Sequence, residues 1–181
     1  YSDGTWMFQL YERGGDDATR TPIGSAVTIG SGIGEPASVA RHPDTWVWYV
    51  AIPVDGGVEL YRGTKDPTGS GELAFELIRT FDGMTRPALA CLPWCIAVAG
   101  CEDVTGGHEA KIYMVDLTDG IDLREPVTAI PSVYEDRLAL VNAAPLGKLI
   151  LFTSGPSTDP GLLVYASRDG GYSWVKETVL S

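Results

Sequence analysis

An all-β fold, a β-propeller of four-stranded antiparallel blades, is what this sequence predicts, and three observations predict it. Short segments recur with a period near fifty residues. Gln9-Leu10-Tyr11 returns as Glu59-Leu60-Tyr61, and each tyrosine is followed five residues later by an aspartate, Asp16 and Asp66. Lys111-Ile112-Tyr113-Met114 and Leu162-Leu163-Val164-Tyr165 occupy the same phase, with Asp119 and Asp169 after them. A second series, Glu35-Pro36-Ala37-Ser38, Arg86-Pro87-Ala88-Leu89 and Arg137-Leu138-Ala139-Leu140, advances in steps of 51 residues. Between these segments lie apolar runs of strand length, four to a repeat. Finally, 22 Gly and 12 Pro punctuate the 181 residues, and no long helical periodicity competes with a strand-and-turn reading.

Taken in order, residues 1–33 read as a partial blade, with Trp6–Tyr11 and Ile23–Ile29 as its third and fourth strands. Residues 34–82 supply Ala37–Ala40, Trp46–Val54, Val58–Tyr61 and Leu73–Phe81. Residues 83–132 supply Pro87–Cys91, Trp94–Cys101, Lys111–Val115 and Pro126–Ile130. Residues 133–181 supply Leu138–Val141, Lys148–Ser154, Leu162–Ala166 and Trp174–Leu180. The first strands are nearly continuous apolar runs, as expected of strands covered on both faces. Glu59, Arg62, Glu76, Arg79, Lys176 and Glu177 enter the later strands, as expected nearer solvent. A β-sandwich, the competing architecture, predicts no fifty-residue phase. The strands make about three and a half blades in one propeller region. The partial blade lacks its two inner strands, so the chain is expected not to close by itself; sequence beyond Ser181 or a partner chain would complete it.

Thirteen Lys and Arg stand against 24 Asp and Glu, a net charge of -11. That balance argues against nucleic acid as partner, because phosphate binding needs a clustered basic face. The longest apolar run, residues 89–100, is interrupted by Pro93 and falls short of a membrane span.

Near the C-terminus stands Ser167-Arg168-Asp169-Gly170-Gly171-Tyr172-Ser173-Trp174. It resembles the Asp-box, or BNR repeat, Ser/Thr-x-Asp-x-Gly-x-Ser/Thr-Trp, found in propellers of sialidases, sortilin-like receptors, photosystem assembly factors and phage virion proteins. The resemblance is tight over these eight residues; Thr64-Lys65-Asp66 and Thr118-Asp119-Gly120 keep only pieces of it. It implies a turn in which the Asp169 carboxylate accepts backbone amides, Gly171 supplies positive φ and Trp174 packs inward among the most buried residues. Ser167, Asp169, Gly171 and Trp174 are thereby assigned to the scaffold rather than to an active site.

Candidate chemistry is sparse. Cys91, Cys95, Cys101 and His108 are separated by three, five and six residues, which fits no common zinc pattern. Cys91 and Cys95 could face each other across a hairpin, but free thiols packing as small hydrophobes is the preferred reading. No metal and no cofactor is expected. His42, before Pro43, reads as a surface residue. Glu35, Arg86 and Arg137, with Asp136 beside the last, each open an innermost strand and are expected to ring one mouth of the axial channel. Arg86-Pro87 resembles faintly the Arg-x-Pro segment of sialidases, whose arginine holds a substrate carboxylate. No matching arginine set is present, and Tyr134-Glu135, adjacent on a strand, point to opposite faces; an ionic ring at the axis is the reading adopted. Trp46, Trp48, Trp94, Tyr49 and Tyr134 could stack sugars, with Asp16, Asp17, Asp44 and Asp66 as calcium ligands, but inter-blade core is the expected place of these aromatics.

The expected function is a non-catalytic propeller module for assembly or adhesion. The resemblance implies a phage virion structural protein of a tail, nozzle or head spike, with other protein chains or the rest of its own chain as partners. The alternative is part of a sialidase-like glycoside hydrolase or a carbohydrate-binding propeller.

Overall fold

A computed structural model of the chain describes residues 4–13, 20–65, 73–105, 107–133, 138–154 and 161–180. Among them fourteen strands form four antiparallel sheets. Strands β1 (Thr5–Arg13) and β2 (Arg20–Ser31) make a two-stranded sheet. Strands β3 (Ser38–Arg41), β4 (Trp48–Val54), β5 (Gly57–Lys65) and β6 (Leu73–Asp82) make the first complete blade. The second comprises β7 (Met84–Cys91), β8 (Ile96–Val104), β9 (Gly107–Val115) and β10 (Val127–Val133). The third comprises β11 (Ala139–Ala143), β12 (Lys148–Ser154), β13 (Leu162–Ser167) and β14 (Val175–Leu180). In each blade the strands pair strictly in chain order, the up-and-down connectivity of propeller blades. One 3-10 turn, Ala144–Leu146, joins β11 to β12.

The period-two alternation of the strands explains where the core lies. Each blade sends alternate residues to its predecessor and the others to its successor, so the apolar residues collect in three clusters between sheets. Val50, Ile52 and Tyr61 of the first blade meet Trp6 and Phe8 of β1. Tyr49, Ala51 and Leu60, on the opposite face of that blade, meet Leu89, Ile96 and Val98. Ala97, Ala99 and Met114 then meet Leu140, Leu149 and Leu151 of the third blade.

Coverage follows a strand's place between sheets rather than its rank in the blade. Residues 49–53 of β4, 87–91 of β7 and 96–101 of β8 are buried without a break, whereas β3, β11 and β12 alternate between more and less exposed positions. The expectation that first strands are covered on both faces therefore holds for β7 and not for β3 or β11. The second blade has a sheet packed against each face.

Polar contacts stitch the joints between blades. The Leu89 N–H donates to Ser38 Oγ at 3.0 Å, and Asn142 Nδ2 donates to the Cys91 carbonyl at 3.0 Å. Tyr49 Oη donates to the Leu117 carbonyl at 2.7 Å. At the rim of the same joint, Arg79 of β6 donates to the Gly120 carbonyl at 2.8 Å, pairs with Asp122 at 2.7 Å and stacks its guanidinium on Phe81.

Candidate functional site

The axial side holds one small cavity of about 140 Å³, lined by Glu35, Pro36, Ala37, Ser38, Arg86, Pro87 and Leu138. Starts of the three inner strands thus converge: Glu35 and Ser38 come from the first blade, Arg86 from the second and Leu138 from the third. Asp136 and Arg137, with Tyr134 and Glu135, lie outside the described residues, as do Asp16, Asp17 and Asp66.

Arg86 is the one non-glycine residue at positive φ among those described, at 55°, and it sits in a β-bulge between Thr85 and Ala88. A left-handed residue before a proline is costly, about 1–3 kcal/mol, and persists where the surroundings hold it. Here the bulge turns the side chain toward Cys101. Burial pushes the Cys101 thiol up, and the guanidinium partly offsets that shift through a hydrogen bond. The buried Nη1 of Arg86 has no hydrogen-bond partner among the described residues.

The turn between β13 and β14 is closed by its own side chains. Ser167 Oγ donates to Asp169 Oδ1 at 2.7 Å, and the Gly171 N–H donates to Ser167 Oγ at 2.7 Å. The Ser173 N–H donates to Asp169 Oδ1 at 3.0 Å and Ser173 Oγ to Oδ2 at 2.6 Å. These donors, the Ser173 hydroxyl foremost, hold the Asp169 carboxyl far below the usual carboxylate range. Gly170 and Gly171 adopt φ of 73° and 92°, which an L side chain tolerates poorly. Trp174 donates its Nε1–H to the Gly171 carbonyl at 3.2 Å and packs on the cluster between the second and third blades. It is half-buried, not among the most buried residues as the sequence suggested. It precedes β14 at the blade's outer edge, so one side of the indole stays open to solvent.

The cysteines are free and buried. Desolvation pushes the thiols of Cys91 and Cys95 up to about 12, so both are inert as nucleophiles or ligands at neutral pH. Among the described residues no group of three or more His, Cys, Asp or Glu side chains is arranged to hold a metal ion. His108 pairs with Asp103 at 2.6 Å on the β8–β9 hairpin, two residues along the ladder from the Cys101–Ala110 pair.

Three residues depart from their expected places. His42 is only 8% exposed, not a surface residue. Its Nδ1 accepts the Asp44 N–H at 3.1 Å, which leaves the proton on Nε2 to donate to the Pro93 carbonyl at 3.2 Å on the next blade. The aromatics divide. Tyr49 is buried and Trp48 partly so, its ring centroid 5.2 Å from that of Phe8 and tilted 59° to it. Trp46 and Trp94, expected in the core, are 67% and 53% exposed because β4 and β8 begin two residues after them. Strand assignment placed them inside; they stand in the connections instead.

Those connections share a pattern that was not recognised in the sequence. Trp46, Trp94 and Leu146 each lie two residues before the second strand of their blade, and each is exposed. Aligning the repeats on their second strands rather than their first would have found it. Around them the Arg41 guanidinium lies 4.9 Å from the Trp46 ring centroid. Arg124, from the β9–β10 connection, donates to the Gly170 carbonyl at 3.2 Å and stacks 3.8 Å over exposed Tyr172. Trp94 stands against Gly170, and the His42–Pro93 contact ties the Trp46 and Trp94 connections together. The product is a rigidly framed face of tryptophan, tyrosine and arginine. No family model matches this chain, and no curated protein matches it.

Proposed function

We propose that this chain is a non-catalytic β-propeller module that mediates assembly or adhesion through the face bearing Trp46, Trp94 and Tyr172. The observation that carries the reading is the exposure of these rings on short connections held by inter-blade hydrogen bonds. Exposed indoles and phenols gain nothing for the core, and Trp, Tyr and Arg are the side chains that dominate binding energy at interfaces. The hydrogen-bonded turn around Asp169 supports placing the chain among Asp-box propellers, and a phage virion component of tail, nozzle or head spike is the setting we favour. The same exposed indoles favour a second reading, a propeller that binds glycans by stacking.

Two measurements test the reading. The Trp46→Ala/Trp94→Ala variant should keep the unfolding free energy within about 1 kcal/mol, since surface truncations cost little, and should lose binding to whichever immobilised polysaccharide or capsid-protein panel the unaltered chain recognises. Retained binding overturns the assignment of this face. Hydrolysis of an aryl-sialoside that disappears in Arg86→Ala would overturn the non-catalytic reading itself.

A further inference from the structure

Strands β3, β7 and β11 run from the cavity of about 140 Å³ toward the connections that hold Trp46, Trp94 and Leu146. The cavity therefore lies at the far end of the blades from the aromatic face. Its lining holds two opposite charges, Glu35 and Arg86, and one hydroxyl, Ser38, against an apolar remainder that includes Pro87 and Leu138. Pro87 and Leu138 are buried and Glu35 is exposed, so the cavity has an apolar floor and an acidic mouth.

The polar groups of this lining are underused. Arg86 holds φ of 55° immediately before Pro87, in the bulge between Thr85 and Ala88. Backbone strain of that kind clusters at active sites and ligand clamps. A guanidinium offers five donors, yet the buried Nη1 of Arg86 has no hydrogen-bond partner among the described residues. An unpaired donor on a buried cation costs more than a neutral one, and a seated anion offsets that cost. Ser38 Oγ accepts the Leu89 N–H at 3.0 Å, so the hydroxyl keeps its own hydrogen for an acceptor. Among the described residues no ion pair joins Glu35 to Arg86. Two opposite charges thus line one small cavity without meeting, and a group between them can answer both.

We propose that this cavity binds a small zwitterion of the α-amino acid class, its carboxylate on Arg86 and Ser38 and its ammonium on Glu35 at the mouth. Charge selects the class. An isolated anion is drawn by Arg86 and repelled by Glu35, and an isolated cation meets the reverse, whereas a zwitterion is satisfied at both ends. Volume selects the size. A cavity of about 150 Å³ accepts a ligand of about six non-hydrogen atoms, the size of alanine; a hexose, about twice as large, does not fit. Pro87 and Leu138 cover the apolar side of such a ligand. The assignment does not depend on the aromatic face.

Amide NMR spectra of the 181-residue chain, titrated separately with L-alanine, acetate and ethylammonium, test it. The Leu89 amide, bonded to Ser38 Oγ, reports the site. L-Alanine should shift it saturably, and acetate and ethylammonium should each bind about tenfold more weakly or worse, since each forgoes the bonds made by the other charge. Arg86→Gln should abolish alanine binding. Should that variant disturb folding, Glu35→Gln at the exposed mouth serves alone: it should weaken alanine about tenfold and leave acetate bound as well or better. A Leu89 amide unmoved by alanine overturns the proposal. Acetate or ethylammonium binding as tightly as alanine, or alanine binding unchanged by Glu35→Gln, overturns it too, because a single charge would then suffice.

Discussion

His42 of the first blade donates its Nε2–H to the Pro93 carbonyl of the second at 3.2 Å, while its Nδ1 accepts the Asp44 N–H. The ring is almost wholly buried, and its two bonds fix both the tautomer and the spacing of two connections that carry exposed tryptophans. His42→Ala should therefore cost about 2 kcal/mol, since the packing of the buried ring and its two part-buried hydrogen bonds are lost together. A guanidinium unfolding curve checks it; an unchanged midpoint would mean that water replaces the imidazole at no cost.

Tyr49→Phe removes one oxygen from a buried ring and leaves the Leu117 carbonyl without its 2.7 Å donor. Burial pushes the Tyr49 phenol up to about 12, so the group is neutral and donating at all ordinary pH. The substitution should lower stability by about 1–2 kcal/mol. The loss should be the same at pH 6 and pH 9, and a loss that varies over that range would contradict the neutral phenol.

Asp169 gives a pH-dependent prediction. Its folded-state pKa is depressed by the Ser173 and Ser167 donors, so its contribution is fully present above the unfolded value, about 3.9, and fades as pH falls below it. The side chain is exposed, and solvent screening keeps its worth to about 1 kcal/mol. Asp169→Asn should thus destabilise by that amount at pH 7, and the gap between variant and unaltered chain should narrow progressively below pH ~4. A gap that stays constant down to pH ~2.5 would show that the carboxylate charge is not what holds the turn.

With burial holding Cys91 and Cys95 near 12 and Cys101 also raised, native protein at pH 8 should leave all three thiols unmodified by iodoacetamide. The same reagent in denaturant should modify three. Mass spectrometry of the intact chain counts the adducts, and rapid native modification of any one would place that thiol at the surface.

Periodicity made the architecture legible. The fifty-residue phase and the apolar runs located all fourteen strands, and Lys148–Ser154 was delimited to the residue. The hydrogen-bonded turn at Ser167–Trp174 was also legible, because its hydrogen bonds join residues no more than four positions apart. Trp46 and Trp94 were misplaced for a local reason: each adjoins an apolar run, and only the hydrogen-bond register shows that pairing begins at Trp48 and Ile96.

What the sequence determined by itself is therefore whatever depends on spacing along the chain: strand alternation, blade repeats, and the Ser167–Trp174 turn. Tertiary structure alone decided what depends on two blades meeting. No local pattern distinguishes a histidine in a loop from one clasping the carbonyl of a residue 51 positions away. Nor does composition reveal which apolar face is covered, since Val141 and Ala90 occupy equivalent places and differ only in whether a blade lies over them. Burial is a property of the pair of surfaces, and a single strand's sequence specifies only one of them.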